Sequence, residues 1–403
     1  MKKGNIIVLK FGGSSVANAE RLLRVAEIVT AKQREGYAVV VVVSAQGDTT
    51  DELLAKAKAI SREPDRRELD MLLSAGERIS MALLALAIRE RGLEAVSLTG
   101  SQSGIITTAS HSQARIIEVR PFRVEDELEQ GRVVIVAGYQ GVSYRRDVTT
   151  LGRGGSDTTA VALAAALDAV SCEIYSDVEG VFTADPRLVK DAKKIDALGY
   201  AEMQELATSG AKVLNATAVE FAKQRGIALY SRKTGSPDPG TVIRKDAPKA
   251  DGPVRGIAHE REIAVLEAKS VHLDAVERLL TRLRGLEAHP RQLSFGEGGF
   301  SAVLGLDDLH NEPSVLAAAE AELGKGALLR GRGTISLIGE GISRDPAPLL
   351  TALQTAARAK ARVFGVSTSS FRISLVVPSE AVESFVPALH EAFELGQTGP
   401  ESA

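Results

Sequence analysis

The run of five valines in AVVVVVSA (residues 38–45) places the tightest limit on what this chain can fold into. Nothing polar alternates with the valines, so a strand built from them has no side to show to water and needs cover on both faces. A largely parallel sheet with helices above and below meets that demand. The rest of residues 1–245 agrees, because short β-branched runs alternate there with longer amphipathic stretches. NIIVLKF (5–11), AVVVVVSA, EAVSLTG (94–100), VVIVAGYQ (133–140) and SCEIYSDV (171–178) read as strands. VANAERLLRVAEIVTAKQREG (16–36), LDMLLSAGERISMALLALAIRERG (69–92), SDTTAVALAAALDA (156–169) and YAEMQELATSGAKVL (200–214) read as helices. The fold class is therefore α/β.

Composition shifts at TGSPDPGTVIRKDAPKADGPVRG (234–256), which is rich in proline, glycine and mixed charge, and residues 246–256 read as a linker. Beyond it two small βαβ-type modules follow. One runs EIAVLEA, a helix over 271–285, then FSAVLGL. The other runs TISLIGE (334–340), a helix over 346–360, RVFGVSTSS and FRISLVVP (371–378), and closes with a helix over 379–394.

At 403 residues the chain is long enough for two or three domains. Its net charge of −3 provides no basic field for nucleic acid or an anionic membrane. Cys172 is the only cysteine and none of the six histidines forms an HxxxH pair, so neither a disulfide nor a protein-ligated metal is expected. With no signal peptide and no apolar run of about 20 residues, a cytoplasmic enzyme is the expectation.

The chemistry concentrates in Gly-rich turns between strands and helices. LKFGGSS (9–15) sets Lys10 at a strand end, followed by Gly12 and Gly13, whose amides suit phosphate oxygens, while Lys10 suits the charge of a transferring phosphoryl group. TTLGRGGSDTTA (149–160) enters an alanine-rich helix through a turn matching neither GxxxxGK[ST] nor GxGxxG, and such a helix start attracts anions. SAQGDTTDELL (44–54) puts Ser44, Thr49 and Thr50 at the same sheet edge, where an ordinary helix cap is the simpler reading. Glu77 lies in an apolar helix beside Ala75 and Gly76, small neighbours that leave room for a ligand. YSDVEGVFTADP (175–186) is a long turn suited to a base and ribose, and SGAKVLN (209–215) adds Lys212.

KFGGSSVA, SAQGDTTDELL, LLSAGERIS, TTLGRGGSDTTA, YSDVEGVFTADP and SGAKVL, in this order and at these spacings, resemble the aspartate kinases of the amino-acid kinase family over about residues 1–245. The tail, with GVSTSSFRISLVVP, resembles their paired ACT regulatory modules. The resemblance implies a kinase domain over 1–245, a diverged first ACT-like module over 257–330 and a second over 331–397. It implies ATP-dependent phosphorylation of L-aspartate on its side-chain carboxylate, feeding lysine and threonine biosynthesis. Arg153, with Gly154, Gly155 and Ser156, would receive the α-carboxylate, Glu77 the α-ammonium, and Ser44, Thr49 and Thr50 the side-chain carboxylate. Lys10, Asp157 and Lys212 would be catalytic. Phe11, Gly12, Gly13 and Ser14 would hold the phosphates, and Ser176, Asp177, Val181, Phe182, Thr183, Ala184, Asp185 and Pro186 the adenosine side. Mg²⁺ would travel with the ATP phosphates, mostly through water.

Two stretches depart from the family pattern. KVLNATAVE (212–220) carries Asn215-Ala216-Thr217 where many relatives read His-Pro-Arg. VLEAKSVHLDAVERLL (265–280) lacks the Asp-x-Pro-Gly turn at which relatives dock an amino-acid effector, whereas GEGISRDPAPLL (339–350) keeps its equivalent better. Weakened or lost feedback inhibition is therefore expected. No methionine lies near 245–256 to start a second, shorter chain, so a homodimer through the ACT-like modules is expected. The competing readings are an aspartate kinase dedicated to a secondary product, a glutamate or acetylglutamate kinase, and a non-catalytic regulatory subunit.

Overall fold

A computed structural model of the chain describes residues 5–152, 154–211, 213–249, 252–306, 309 and 312–396. It divides into two compact units. The first comprises the residues up to Val181, then Lys194–Ala207, and the stretch ending at Pro248; the second comprises Phe182–Lys193, Thr208–Ala211 and the chain from Lys249 onward.

The first unit opens with β1 (Ile6–Phe11), a 3-10 turn at Gly13–Val16, α1 (Ala19–Arg34), β2 (Ala38–Val43), α2 (Thr49–Ile60), α3 (Arg66–Leu73) and α4 (Ala75–Arg89). It continues through β3 (Ala95–Leu98), β4 (Ile105–Thr107), β5 (Ile116–Val119), α5 (Phe122–Glu129), β6 (Val133–Ala137), β7 (Gln140–Ser143) and β8 (Val148–Thr150). Then come α6 (Gly155–Ala166), β9 (Ser171–Ser176), β10 (Ala197–Leu198), α7 (Tyr200–Thr208), α8 (Ala216–Arg225), β11 (Leu229–Lys233) and β12 (Thr241–Ile243). The main sheet has the order β10-β12-β11-β9-β1-β2-β6-β3. All its pairings are parallel except β11 with β12.

The valine run is buried from Val39 to Val43, as its lack of alternation demands. Val39, Val41 and Val43 join Leu9, Phe11, Ile135 and Ala137 in a core shared with α1 and α4. The opposite face of β1 and β2 is covered by α6. Residues Ala160 to Ala164 of α6 are all buried, so that helix is apolar all round.

The helix expected over 69–92 starts earlier, at Arg66, where Asp65 caps it by accepting from the amides of Arg67 and Glu68, and it is interrupted at Ser74. Arg66–Arg89 together are long and apolar enough to cross a membrane, but half of that stretch is buried inside the fold. A second, four-stranded sheet with the order β5-β4-β7-β8 escaped the sequence reading, because its strands are only three or four residues long. The helix expected to reach Leu214 stops at Thr208. Gly210 follows with φ +108°, and a Cβ there would stand 2.2 Å from the carbonyl oxygen of His259.

The second unit contains β13 (Gly256–Ala268), α9 (Leu273–Gly285), β14 (Arg291–Gly296), β15 (Gly299–Gly305), α10 (Glu312–Leu323), β16 (Leu328–Ile338), α11 (Ala347–Arg358), β17 (Gly365–Thr368), β18 (Arg372–Pro378) and α12 (Val382–Ala392). Its single sheet has the order β14-β15-β13-β16-β18-β17, and every pairing is antiparallel, which corrects the βαβ expectation. Two long strands are shared between the modules. Ile257 near the start of β13 packs with α11 and α12, whereas Ala264 and Leu266 near its end pack with α9 and α10. β16 likewise runs unbroken across the expected 330/331 boundary. The expected linker also ends early, since Val254 is a core residue of this unit.

Candidate active site

β1 stands at the centre of the main sheet, and its two neighbours continue the sheet in opposite directions along the sequence, β2 one way and β9 the other. Such a switch point leaves a crevice beyond the carboxyl ends of the strands, the usual place for a ligand in an open α/β sheet. Phe11 pairs in register with Val43 of β2 and Tyr175 of β9, so the turns after all three strands emerge at one edge.

The turn after β1 is tied to both neighbours. Gly12 N–H donates to the Tyr175 carbonyl at 3.1 Å, and Gly47 N–H to the Gly13 carbonyl at 3.1 Å. A Cβ on Gly13 would lie 2.8 Å from the Ala45 carbonyl oxygen, so only glycine allows the β1 and β2 turns to interlock. Lys10 belongs to the sheet face covered by α6, and its Nζ is 2.6 Å from Asp157 Oδ1 in the first turn of that helix. Asp157 Oδ2 accepts from the backbone N–H of Asn215 at 3.3 Å. Asn215 caps α8 by accepting from Ala218 N–H, which gives the residue that departs from the family pattern a local structural task.

Ser156 is buried beside Gly138, where a Cβ would lie 2.7 Å from the Ser156 hydroxyl. Gly154 has φ +70° and starts α6. Gly155, also buried, is the first residue of that helix. Arg153 and Lys212, both expected at the site, lie outside the described residues.

Glu77, in the first turn of α4, turns toward the end of β2. Its Oε1 accepts from the Ala45 amide at 3.1 Å, and its Oε2 is buried with no hydrogen-bond partner among the described residues. Burial pushes its carboxyl up from the ordinary range to about 7, against the opposing pull of backbone N–H donors. Gly76 permits the approach, since a Cβ there would be 2.7 Å from Ala45 Cβ. Ser44 and Thr50 are half-buried near this turn. Thr49 donates its hydroxyl to the Gln46 carbonyl at 2.6 Å and opens α2.

The expected nucleotide residues have distinct local environments. Phe11 is fully buried and stacks on Tyr175 with ring centroids 4.8 Å apart, so its side chain serves the core. The Ser14 carbonyl accepts from the Arg21 guanidinium. Ser176 bonds the Val178 amide and Asp177 is exposed, both at the sheet edge, while Val181 is buried and closes the first unit. Phe182, Thr183, Ala184, Asp185 and Pro186 belong instead to the second unit. There Thr183 Oγ1 lies 2.9 Å from His390 Nε2, Ala184 is a core residue, and Asp185 forks onto Arg187, whose guanidinium holds that carboxyl below its usual range.

Among the described residues no group of three or more His, Cys, Asp or Glu side chains is placed to hold a metal ion. The carboxylate of Asp157 is already paired with Lys10.

Sequence and structure comparisons converge with this geometry. A profile of the amino acid kinase family matches residues 5–230. The chain is 45% identical over 423 residues to the aspartokinase of Mycobacterium tuberculosis H37Rv, covering 99% of this chain and 98% of that one. It is 44% identical over 406 residues to the aspartokinase of Mycolicibacterium smegmatis, covering 97% and 96%. Among solved structures it is similar to Escherichia coli aspartokinase III in complex with aspartate and ADP, with a TM-score of 0.84 and 25% identity over 96% of this chain and 100% of that chain. The same enzyme in complex with lysine and aspartate superposes with a TM-score of 0.76. Near-complete coverage at this identity includes the antiparallel C-terminal unit as well as the crevice at β1. The chain therefore belongs to the aspartokinases, phosphotransferases of the amino acid kinase family with C-terminal ACT regulatory modules.

Proposed function

We propose that the chain transfers the γ-phosphoryl group of ATP to the side-chain carboxylate of L-aspartate, forming 4-phospho-L-aspartate and ADP. Glu77 carries the reading. A buried carboxylate with one oxygen unpartnered among the described residues, the other 3.1 Å from the amide of the turn that follows β2, is an acceptor lacking its cation. The free α-ammonium of an amino acid supplies that cation. An N-acetylated substrate does not, which argues against an acetylglutamate kinase.

Arg153, with Gly154, Gly155 and Ser156 at the start of α6, receives the α-carboxylate, where free amides and a guanidinium fork both favour an anion. Ser44, Thr49 and Thr50 orient the side-chain carboxylate. The Gly13 amide and Ser14 cradle the terminal phosphates, in a turn fixed by the hydrogen bond from Gly12 N–H to the Tyr175 carbonyl, and Ser176, Asp177 and Val181 border the nucleotide. Lys10, held by Asp157, and Lys212 neutralise charge on the equatorial oxygens as the phosphoryl group passes from the β-γ bridging oxygen to the carboxylate oxygen. That carboxylate is already ionised, so no protein base is required and the barrier falls through alignment and electrostatics. Mg²⁺ fits here only as an ion brought by the phosphates with its own waters, and no step depends on a protein ligand to it.

In this reading the enzyme is a cytoplasmic homodimer, and the largely exposed edge strands β14 and β17 of the second unit's sheet support pairing through its ACT-like modules. Feedback is weak in this reading. Where relatives turn through Asp-x-Pro-Gly, this chain has an exposed Glu267 and a helix, α9, whose His272 start lacks a side-chain cap. ATP-dependent hydroxamate formation tests the substrate assignment with aspartate, glutamate and N-acetylglutamate in parallel. Aspartate is expected to be the preferred acceptor. Equal or better turnover of either glutamate compound overturns the assignment.

A further inference from the structure

Asp70 of α3 is fully buried, and its carboxylate is used completely. Oδ1 accepts from the Thr150 hydroxyl at 2.5 Å and from the Ser112 amide at 3.0 Å. Oδ2 lies 2.7 Å from His111 Nδ1 and 3.2 Å from the Ser112 amide. One side chain thus joins three segments: α3, the loop at His111–Ser112, and the end of β8.

The end of β8 is where the chain turns toward the amino-acid side of the site. Thr150 precedes Arg153 by three residues. Gly152, between them, has φ +77°, and Gly154, just beyond, has φ +70°. Such glycines permit the turn but do not enforce it, because they have the largest conformational freedom in the unfolded and bound states alike. Its geometry has to be imposed from its flanks. On the far side α6 does this, with the Gly155 amide bonded to the Gly152 carbonyl at 3.1 Å. On the near side the anchors are Thr150 and the loop packed against it. Ala114 N–H donates to the Thr150 carbonyl at 2.8 Å, and the Ser112 carbonyl oxygen is 3.5 Å from where a Cβ on Gly152 would stand. Ser112 itself has φ +67°, a conformation that costs a serine free energy and that its amide bond to Asp70 stabilises.

We propose that Asp70, acting through Thr150 and Ser112, is a positioning residue that sets affinity for the amino-acid substrate. The proposal rests on the reading that Arg153 and the Gly154–Ser156 turn receive the substrate's α-carboxylate. No part of the Asp70 cluster approaches Lys10 or the β1 turn through any described hydrogen bond, so its influence is confined to one of the two substrates.

The test is steady-state kinetics of the full chain carrying Thr150→Val, which keeps the side-chain volume and removes one hydroxyl, and of Asp70→Asn. Losing the hydroxyl of a buried hydrogen bond is expected to raise the KM for aspartate about fivefold, and Asp70→Asn about tenfold or more. The KM for ATP and kcat stay within about twofold, and Thr150→Ser restores the aspartate KM. A merely structural role lowers the melting temperature and leaves both KM values unchanged. That result, or an equal rise in both, overturns the proposal, and if Asp70→Asn does not fold, Thr150→Val alone decides. Absence of aspartate-dependent turnover in the unmodified chain overturns the substrate reading and this proposal together. Normal turnover with an undiscriminating Thr150→Val overturns this proposal only.

Discussion

At the start of α6, Asp157 has the ammonium of Lys10 at 2.6 Å and the Asn215 amide at 3.3 Å. At the start of α4, Glu77 has one amide and an oxygen with no partner among the described residues. Both carboxylates are buried, both occupy a first helical turn, and both border the carboxyl edge of the same sheet. The first region is electrostatically complete before any ligand arrives. A completed pair holds Lys10 in place, so under the proposed function its charge would need little reorganisation when the phosphoryl group moves. The second region is incomplete, and burial raises its carboxyl so that the fold favours the protonated form until a cation binds. In the proposed function, the first region is the device for lowering a barrier and the second the device for recognising a substrate.

The largest effect expected from breaking this contrast is at Lys10. Lys10→Ala should lower kcat by roughly 10²–10³-fold, the usual cost of losing one preorganised charge donor, with little change in the KM for aspartate. Pre-steady-state and steady-state rates with saturating aspartate measure it. Near-normal turnover would remove Lys10 from the chemistry.

Glu77→Gln comes next. It should raise the KM for aspartate roughly tenfold or more, the loss expected of a charge-assisted hydrogen bond, and leave the KM for ATP nearly unchanged. Equal changes in both would make Glu77 a structural residue.

The same carboxyl gives a pH dependence with a definite sign. Its folded value of about 7 is raised above the ordinary 4.5, so the fold prefers the protonated form. Its contribution to stability is fully present below the ordinary value and is lost as pH rises toward 7. Binding runs the other way, because only the ionised form pairs with an ammonium. Affinity for aspartate should therefore improve from pH 6 to about 8, and Glu77→Gln should abolish that slope. The variant should also melt a few degrees higher than the parent at pH 8 and equally at low pH, by calorimetry.

The smallest effect expected lies outside the site. Lysine and threonine, singly or together at about 1 mM, should inhibit by less than half, because a coupling of 1–3 kcal/mol depends on a few hydrogen bonds that the Glu267–Ser270 turn does not supply in the family's form. Inhibition beyond half by either one would show that the second turn, with Asp345 and Pro346, is sufficient.

Much of the first unit was legible in sequence because its signals are local. Five valines demanded two-sided cover and received it from α1 and α4 on one face and α6 on the other. Gly12 and Gly13 marked close approaches before any partner was known, and they face Lys10, Tyr175 and Ala45 within van der Waals distance or less, whereas Gly76, read as leaving room for a ligand, is packed against Ala45. The strands β4, β5, β7 and β8 were illegible for the opposite reason. Three or four residues contain too few alternations to reveal a period, and their pairing depends on partners up to dozens of residues away.

Three other features were decided by tertiary structure alone. Asp70 reads in sequence as one more charge on an amphipathic helix, yet it is buried because Ser112 and Thr150, 42 and 80 residues away, bring donors to it. The segment Phe182–Lys193, written within the kinase domain, packs with the second unit because Ala184 and Val189 find apolar partners there. The strands β13 and β16 each serve two cores, so the modules that look consecutive in sequence share one sheet. By itself the sequence determined which side chains had to be buried and where the backbone had to bend, since those follow from each residue's own chemistry and its near neighbours. Which buried group meets which donor, and which unit claims a loop, depends on contacts between residues distant in the chain. Only the folded structure fixes those, because hydrogen bonds and apolar packing depend on distance in space, whatever the separation in sequence.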